Sequence, residues 1–355
     1  MEFTVLLFNY ILVIIYDSAV SLVIVLLMLF IFRIKDSNIR ILFFFLPLIK
    51  PFFIIIEKID FNKEYFKYRP GVLGFRFPSP GTIFGQLKPL EKDIINFSDV
   101  DHILIYAILV SIIIVLIIRW TNLYIFYRHL AYEEKVNRTD VPEIYEIIDN
   151  FISKVGLKCP NVSLTHKNIL SPFVVGIKQN TLVLPPALID NISFSEKETL
   201  IQHELSHAKR KDNLIGWVAL ILKDLLFFNP FAYITYLIIK TEQEKACDKL
   251  LLEFSGKPSK EIATNILNLI LKIKNLKNPT IIHHEYINKG YNFAPVQMLN
   301  NRIINIRVNL LVSTKIEKIH MKRITKILMY FLFIILLLIQ VVLVIRINNI
   351  FIFLR

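Results

Sequence analysis

From Ile327 to Ile345 the chain runs nineteen residues without a charge. As a helix this stretch would be about 28 Å long, enough to cross the hydrocarbon core of a bilayer. Lys315, Lys318, Lys322, Arg323 and Lys326 precede it, the flank expected on the cytoplasmic side. A second apolar run extends from Phe3 to Phe32 and is broken only by Asp17. Its length, its Glu2 in place of a basic start and the lack of a small-residue cleavage site set it apart from a signal peptide. A third runs from Ile103 to Tyr127, with Arg119 near its end. The fourth, Ile41 to Ile56, carries Lys50 between Pro47 and Pro51 and reads as a kinked span or a re-entrant segment. Hydrophobic residues make up 54% of the chain, more than an ordinary soluble enzyme carries.

Basic residues set the expected topology. None precedes Arg33, whereas Arg33, Lys35 and Arg40 follow the first run and mark a cytoplasmic turn. Counting Ile41 to Ile56 as a span puts residues 57–101 outside and residues 128–326 in the cytoplasm. The expected organisation is a membrane region over residues 1–128 with about three spans and an extracytoplasmic loop at 57–101. A cytoplasm-facing domain follows over 129–326, then a last span within 327–355. The 57–101 loop holds four of the nine glycines and interleaved aromatics, as a membrane-hugging loop or a sensing or gating loop would. The N-terminus lies outside on this reading.

The polar part reads as α+β: mostly helical with a small antiparallel sheet. Asp140 to Val155 is amphipathic at helical spacing and Gly156 closes it. Strand candidates follow at Val162–Thr165, Phe173–Ile177 and Thr181–Leu184, the last two joined by a turn at Lys178-Gln179-Asn180. The edge of such a sheet can pair with an extended peptide.

Residues 203 to 207 read His-Glu-Leu-Ser-His. On a helix His203 and His207 share one face and can turn both imidazoles to one metal ion, while Glu204 can reach a water there without being a ligand. Ser195 and Glu198 form a capping-box pattern that would start this helix. A catalytic zinc needs a third protein ligand. Glu244 is the best candidate. Asp248, one turn later on the same face, is placed to accept a hydrogen bond from a ligand histidine. Glu242 is the alternative ligand. Cys247 is turned about 100° from the Glu244 face, which argues against it as a ligand. Gly256 and Pro258 stop this second helix.

Between the two motif helices, Leu214 to Ile239 is strongly apolar, interrupted by Lys223-Asp224 and Asn229-Pro230. It reads as a buried helical hairpin or, by its Phe and Tyr content, as a segment dipping into the bilayer. His283-His284 reads as a polar loop or as a source of an electrophilic histidine. The two cysteines, Cys159 and Cys247, fall in the expected cytoplasmic part, where a disulfide is not expected. Net charge is +13, but the basic residues collect at span ends, so anionic lipid explains them and direct nucleic-acid binding is not expected.

The order of Ser171-Pro-Phe-Val-Val-Gly176, the 203–207 pentapeptide with Lys209-Arg-Lys-Asp212, Asn229-Pro-Phe231 and Glu244-Lys-Ala-Cys-Asp248 resembles the BlaR/MecR family of membrane metallopeptidases, the antibiotic-sensing signal transducers of bacteria. Asn301-Arg-Ile303 resembles a further short motif of that family. The resemblance implies a gluzincin-type domain between membrane helices, in the bacterial cytoplasmic membrane and facing the cytoplasm. It implies one Zn2+ held by His203, His207 and Glu244, Glu204 as catalytic base and Asp248 as orienting acid. Antibiotic-sensing members continue into a penicillin-binding domain with a Ser-x-x-Lys nucleophile. No such sequence follows Ile345, so β-lactam sensing is not carried over.

The expected activity is zinc-dependent endoproteolysis of a cytoplasmic regulator such as a transcriptional repressor, of a membrane protein, or of the chain itself. Two other classes remain. One is a non-enzymatic receptor or scaffold with a structural metal, in which Glu204 would have no task. The other is a housekeeping quality-control or prenyl-protein-type membrane peptidase.

Overall fold

The structure is a computed structural model and describes residues 2–57, 99–131, 135–165, 171–176, 178–276, 307 and 323–352. His283, His284, Asn301 to Ile303 and nearly all of the 57–101 segment lie outside these residues.

Four helices come from the apolar runs. α1 spans Glu2–Ile31, α2 Ser37–Phe44, α3 Leu46–Glu57 and α4 Asp99–Ala131. Asp36 caps α2 by accepting the backbone N–H of Asn38 at 2.9 Å. The Ile41–Ile56 run is therefore divided at Phe45, with Pro51 inside the second helix. Among the described residues two windows are long and apolar enough to cross a membrane, Ile14–Ile31 in α1 and Val110–Arg128 in α4. The last apolar run lies in a helix from Arg323 to Ile352, called α11 here, whose qualifying apolar stretch of Ile324–Ile339 is shorter.

The polar part begins with β1 (Lys135–Val136) and α5 (Pro142–Val155), which ends on Gly156 in the left-handed conformation, as the sequence led one to expect. β2 (Asn161–Leu164), β3 (Phe173–Val175) and β4 (Thr181–Leu184) follow, then α6 (Pro186–Ile189), α7 (Phe194–Arg210), α8 (Asp212–Leu225), α9 (Pro230–Phe254) and α10 (Ser259–Leu276). The sheet order is β1-β2-β4-β3. The expected antiparallel sheet is in fact mixed, because β2 and β4 run parallel, with Val162 opposite Leu182 and Leu164 opposite Leu184. The chain leaves β2, lays β3 on the far side and returns by a hairpin, so β4 enters the middle in the direction of β2. That hairpin needs Gly176: its φ is +99°, and a Cβ there would stand 2.0 Å from the Gln179 carbonyl oxygen.

Two apolar cores position the site. One packs Ile148 and Phe151 of α5, Val162 and Leu182 of the sheet, and Leu200, Ile201 and Leu205 of α7. The other joins Leu22, Val25 and Leu29 of α1 to Phe43, Phe44 and Leu48, to Ala219 and Leu220 of α8, and to Ala232, Tyr236 and Ile239 of α9. Phe333 of α11 meets Phe43 edge-on at 5.8 Å. The metal-motif helices α7 and α9 pack on each other, and α9 belongs to both the polar and the apolar half.

Candidate metal centre

α7 starts at a capping box, though one made two residues earlier than expected. The Ser-Phe-Ser-Glu-Lys-Glu stretch contains the pattern twice. Ser193 and Glu196 make it: Ser193 N–H donates to Glu196 Oε2 at 2.7 Å, and Glu196 N–H donates to Ser193 Oγ at 3.3 Å. Ser195 and Glu198 serve instead to tie α7 to the start of α10. Ser195 Oγ bonds Glu261 at 2.8 Å, and Glu198 pairs with Lys257 at 2.7 Å.

In its last two turns α7 presents His203 and His207, their rings edge-to-face with centroids 5.0 Å apart. α9 brings Glu244 against both. His203 Nε2 lies 3.4 Å from Glu244 Oε2, and His207 Nε2 lies 3.6 Å from Glu244 Oε1. The three ligand-type atoms fall within 4.8 Å of one another. Each imidazole also has an acid at its other nitrogen. His203 Nδ1 is 3.2 Å from Asp248 Oδ1, and His207 Nδ1 is 3.0 Å from Asp212 Oδ2. An acid behind Nδ1 favours a proton on that nitrogen and turns Nε2 toward the front.

Asp212 is in place because Lys211 takes a left-handed conformation, φ +57°, which ends α7 and turns α8 back beside it. The next residue continues the brace. Asn213 Nδ2 donates to the carbonyls of Val174 and Gly176 at 3.0 and 3.1 Å, on the strand nearest α7. Gln243 of α9 donates to the Asp212 carbonyl at 3.1 Å.

Glu204 is 5% exposed, and burial raises its carboxyl above the ordinary value although His207 and His203 act in the opposite sense. A carboxyl whose proton affinity is raised by burial is suited to accepting and returning a proton. Glu242 is not in the cluster. Its carboxylate accepts from Ser37 Oγ, Arg40 Nε and Lys245 Nζ, each at 2.9 Å, so it anchors α9 to α2. Cys247 stands behind His207, its Sγ 3.2 Å from Nδ1 and 3.2 Å from Asp212 Oδ2. Burial pushes its thiol well above the usual range, which keeps it protonated and inert.

Two members of the site were not recognised in the sequence. The signal for Asp212 is a carboxylate five residues past the second histidine. Arg307 lies in Ile303-Ile-Asn-Ile-Arg307-Val, and a cation in an apolar run asks for buried acids. It is 1% exposed. Its Nε and Nη2 each reach Asp248 at 2.7 Å, its Nη1 is 3.0 Å from Glu244 Oε2, and its Nη2 is 3.3 Å from His203 Nε2. Burial acts to raise Glu244, but Arg307 and the two histidines hold its carboxyl well below the usual range. Burial and Arg307 act downward on His203, yet Asp248 and Glu244 together push it up to about 9.

The profile described as BlaR1 peptidase M56 matches residues 10–289. The chain belongs to the BlaR1 peptidase M56 family. Among relatives of this M56 chain, the methicillin resistance mecR1 protein of Staphylococcus aureus is 30% identical over 102 residues, 28% of this chain and 17% of that protein. The regulatory protein BlaR1 of Bacillus licheniformis is 33% identical over 112 residues, 32% of this chain and 18% of that protein. A protease HtpX homolog of Gemmatimonas aurantiaca is 26% identical over 171 residues, 39% of this chain and 60% of that protein. The matches thus span less than a fifth of mecR1 and BlaR1.

Proposed function

We propose that this chain is a membrane-embedded zinc endopeptidase with a gluzincin-like site, open to the cytoplasm, that cleaves a protein substrate in signal transduction. One observation carries the reading: one ligand-type atom each from His203, His207 and Glu244 converge within 4.8 Å from two helices. Two imidazoles and one carboxylate are a donor set for a catalytic zinc. The fit is supported by Glu244 Oε2, which is buried and has no aligned hydrogen-bond donor even though Arg307 is close.

In this mechanism His203, His207 and Glu244 would hold the ion, and Asp248 and Asp212 fix the two imidazoles from behind. A zinc bound by these residues would supply Lewis acidity toward a scissile carbonyl and toward an attacking water. Glu204 takes the proton from the attacking water and delivers it to the leaving amine.

The test is Glu204→Ala, assayed for cleavage of the chain itself or of a co-expressed repressor-type substrate. Zinc content and helicity should be retained while cleavage is lost. Unchanged cleavage would sink the mechanism, and a structural metal site would show no cleavage in either form. A second reading, a housekeeping membrane protease, draws on the HtpX homolog match, which reaches 60% of that relative. Cleavage of unfolded membrane proteins in preference to one defined regulator would favour it.

A further inference from the structure

Among the described residues, the hairpin of α8 and α9 has an exposed apolar stripe with no partner. Leu214, Val218, Ile221 and Leu225 recur at helical spacing on α8, each more than 40% exposed. Ile234 and Leu237 continue the stripe on the returning helix at 44% and 54%. The depth of the hairpin can be read against the two candidate spans. α8 runs antiparallel to α4: Trp217 packs on Tyr127 and Trp120, with ring centroids 5.5 and 5.9 Å apart, and seven residues further on Asp224 meets Arg119 at 2.8 Å. Arg119 stands nine residues before the Arg128 end of its apolar window, about 14 Å along the helix. At the turn, Asn229 Nδ2 donates to Ser18 Oγ at 2.7 Å. Ser18 stands thirteen residues before the Ile31 end of the α1 window, about 20 Å. Both windows have these ends on the side of the metal centre: Arg40, just past α1, holds Glu242, and Leu130 of α4 packs on Phe173 of β3.

We infer that α8 and the first half of α9 form a re-entrant hairpin. It enters the bilayer from the metal-centre side, places residues 226–229 near the bilayer middle, and turns its apolar stripe to lipid acyl chains. The inference rests on the membrane reading above and adds a depth to it, since half of a 30 Å hydrocarbon core is about 15 Å. The charges that interrupt this segment do not oppose it. Asp224 is 4% exposed and is shared by Arg119 and Lys223, both at 2.8 Å, and Lys223 Nζ also lies over the rings of Tyr233 and Tyr236 at 4.7 and 5.1 Å. Charges at this depth are tolerated when they pair inside the bundle. A hairpin in the bilayer between the two metal-motif helices puts the catalytic cleft at the level of the lipid headgroups. The substrate class this selects is a chain segment lying against the membrane surface.

Depth-resolved fluorescence quenching tests this. The chain has two tryptophans, Trp120 and Trp217, so Trp120→Phe with Trp217→Phe gives a silent background. Single probes Val218→Trp, Leu225→Trp and Ile234→Trp, with Val115→Trp on α4 as control, are placed in vesicles of phosphatidylcholine brominated at shallow or deep acyl positions. Deep bromines should quench Leu225→Trp and Ile234→Trp more than shallow ones, with the order reversed at Val218→Trp, which lies about 10 Å nearer the surface. Quenching of Val115→Trp by lipid, with Leu225→Trp and Ile234→Trp quenched only by aqueous iodide, would overturn the hairpin and leave the membrane reading intact. Iodide quenching of all four would overturn both.

Discussion

Arg307 holds Asp248 with two nitrogens, Nε and Nη2, each 2.7 Å from a different carboxylate oxygen. The acid that stands behind His203 is thus fixed by a residue 59 positions further along the chain. Arg307→Met strands two buried carboxylates and should cost about 3–5 kcal/mol, as for other broken buried pairs. Thermal unfolding in detergent should show a large loss in Tm, partly recovered in Arg307→Lys. A Tm equal to that of the unsubstituted chain would mean that the fork does not form.

Metal content separates the two neighbouring acids on α9. His203→Ala, His207→Ala and Glu244→Ala should each lose the zinc counted by elemental analysis. Glu242→Ala should keep it and lose stability of about 1–2 kcal/mol, since its bonds run to Ser37, Arg40 and Lys245. Zinc loss in Glu242→Ala alone would exchange the roles of the two glutamates.

The cysteines should differ in reactivity. Cys159 is exposed and Cys247 is buried with a raised thiol. A maleimide reagent at pH 7.5 should label the native chain once, and not at all in Cys159→Ser, with the second site appearing on unfolding. Rapid labelling of Cys159→Ser would show that the back of His207 is open to solvent.

Glu196 gives a pH signature. Burial acts to raise its carboxyl, but Lys272 at 2.6 Å and the two Ser193 bonds outweigh burial and lower it. A folded value below the unfolded one gives stability that is present above the unfolded pKa of about 4.3 and is lost as pH falls through the folded value. Glu196→Gln should therefore be less stable than the unsubstituted chain by about 1 kcal/mol at pH 7, the scale of a helix cap. The gap should close as pH drops below about 4. A gap that is constant with pH would place the effect in packing.

Orientation is open to labelling in intact cells. With Cys159→Ser as background, Ser79→Cys should react with an impermeant thiol reagent and Asn137→Cys should not. Protection at both sites would leave the Ile41–Ile56 run short of a full crossing.

The sequence was most legible where local chemistry repeats at short range. His203, His207, Glu244 and Asp248 share helix faces by spacing alone, and Gly156 and Gly256 mark helix ends by their own freedom at positive φ. The site was less legible where the partner is remote. Nothing near Glu242 announces that Arg40, some 200 residues earlier, takes its carboxylate, and nothing near Asp248 announces Arg307. The parallel pairing of β2 with β4 was hidden for a related reason. Strand direction in a sheet depends on the order in which strands dock, which the alternation of apolar residues does not encode.

One dipeptide, Asp212-Asn213, braces a site histidine and a strand of the sheet at once. Asp212 steadies His207, and the adjacent Asn213 clasps the outer carbonyls of β3. Their Cα atoms are about 3.8 Å apart across a single rigid peptide unit. The strand edge and the imidazole are therefore set by one gauge. A change in the length or geometry of the Lys211 joint would shift strand and imidazole together rather than one against the other.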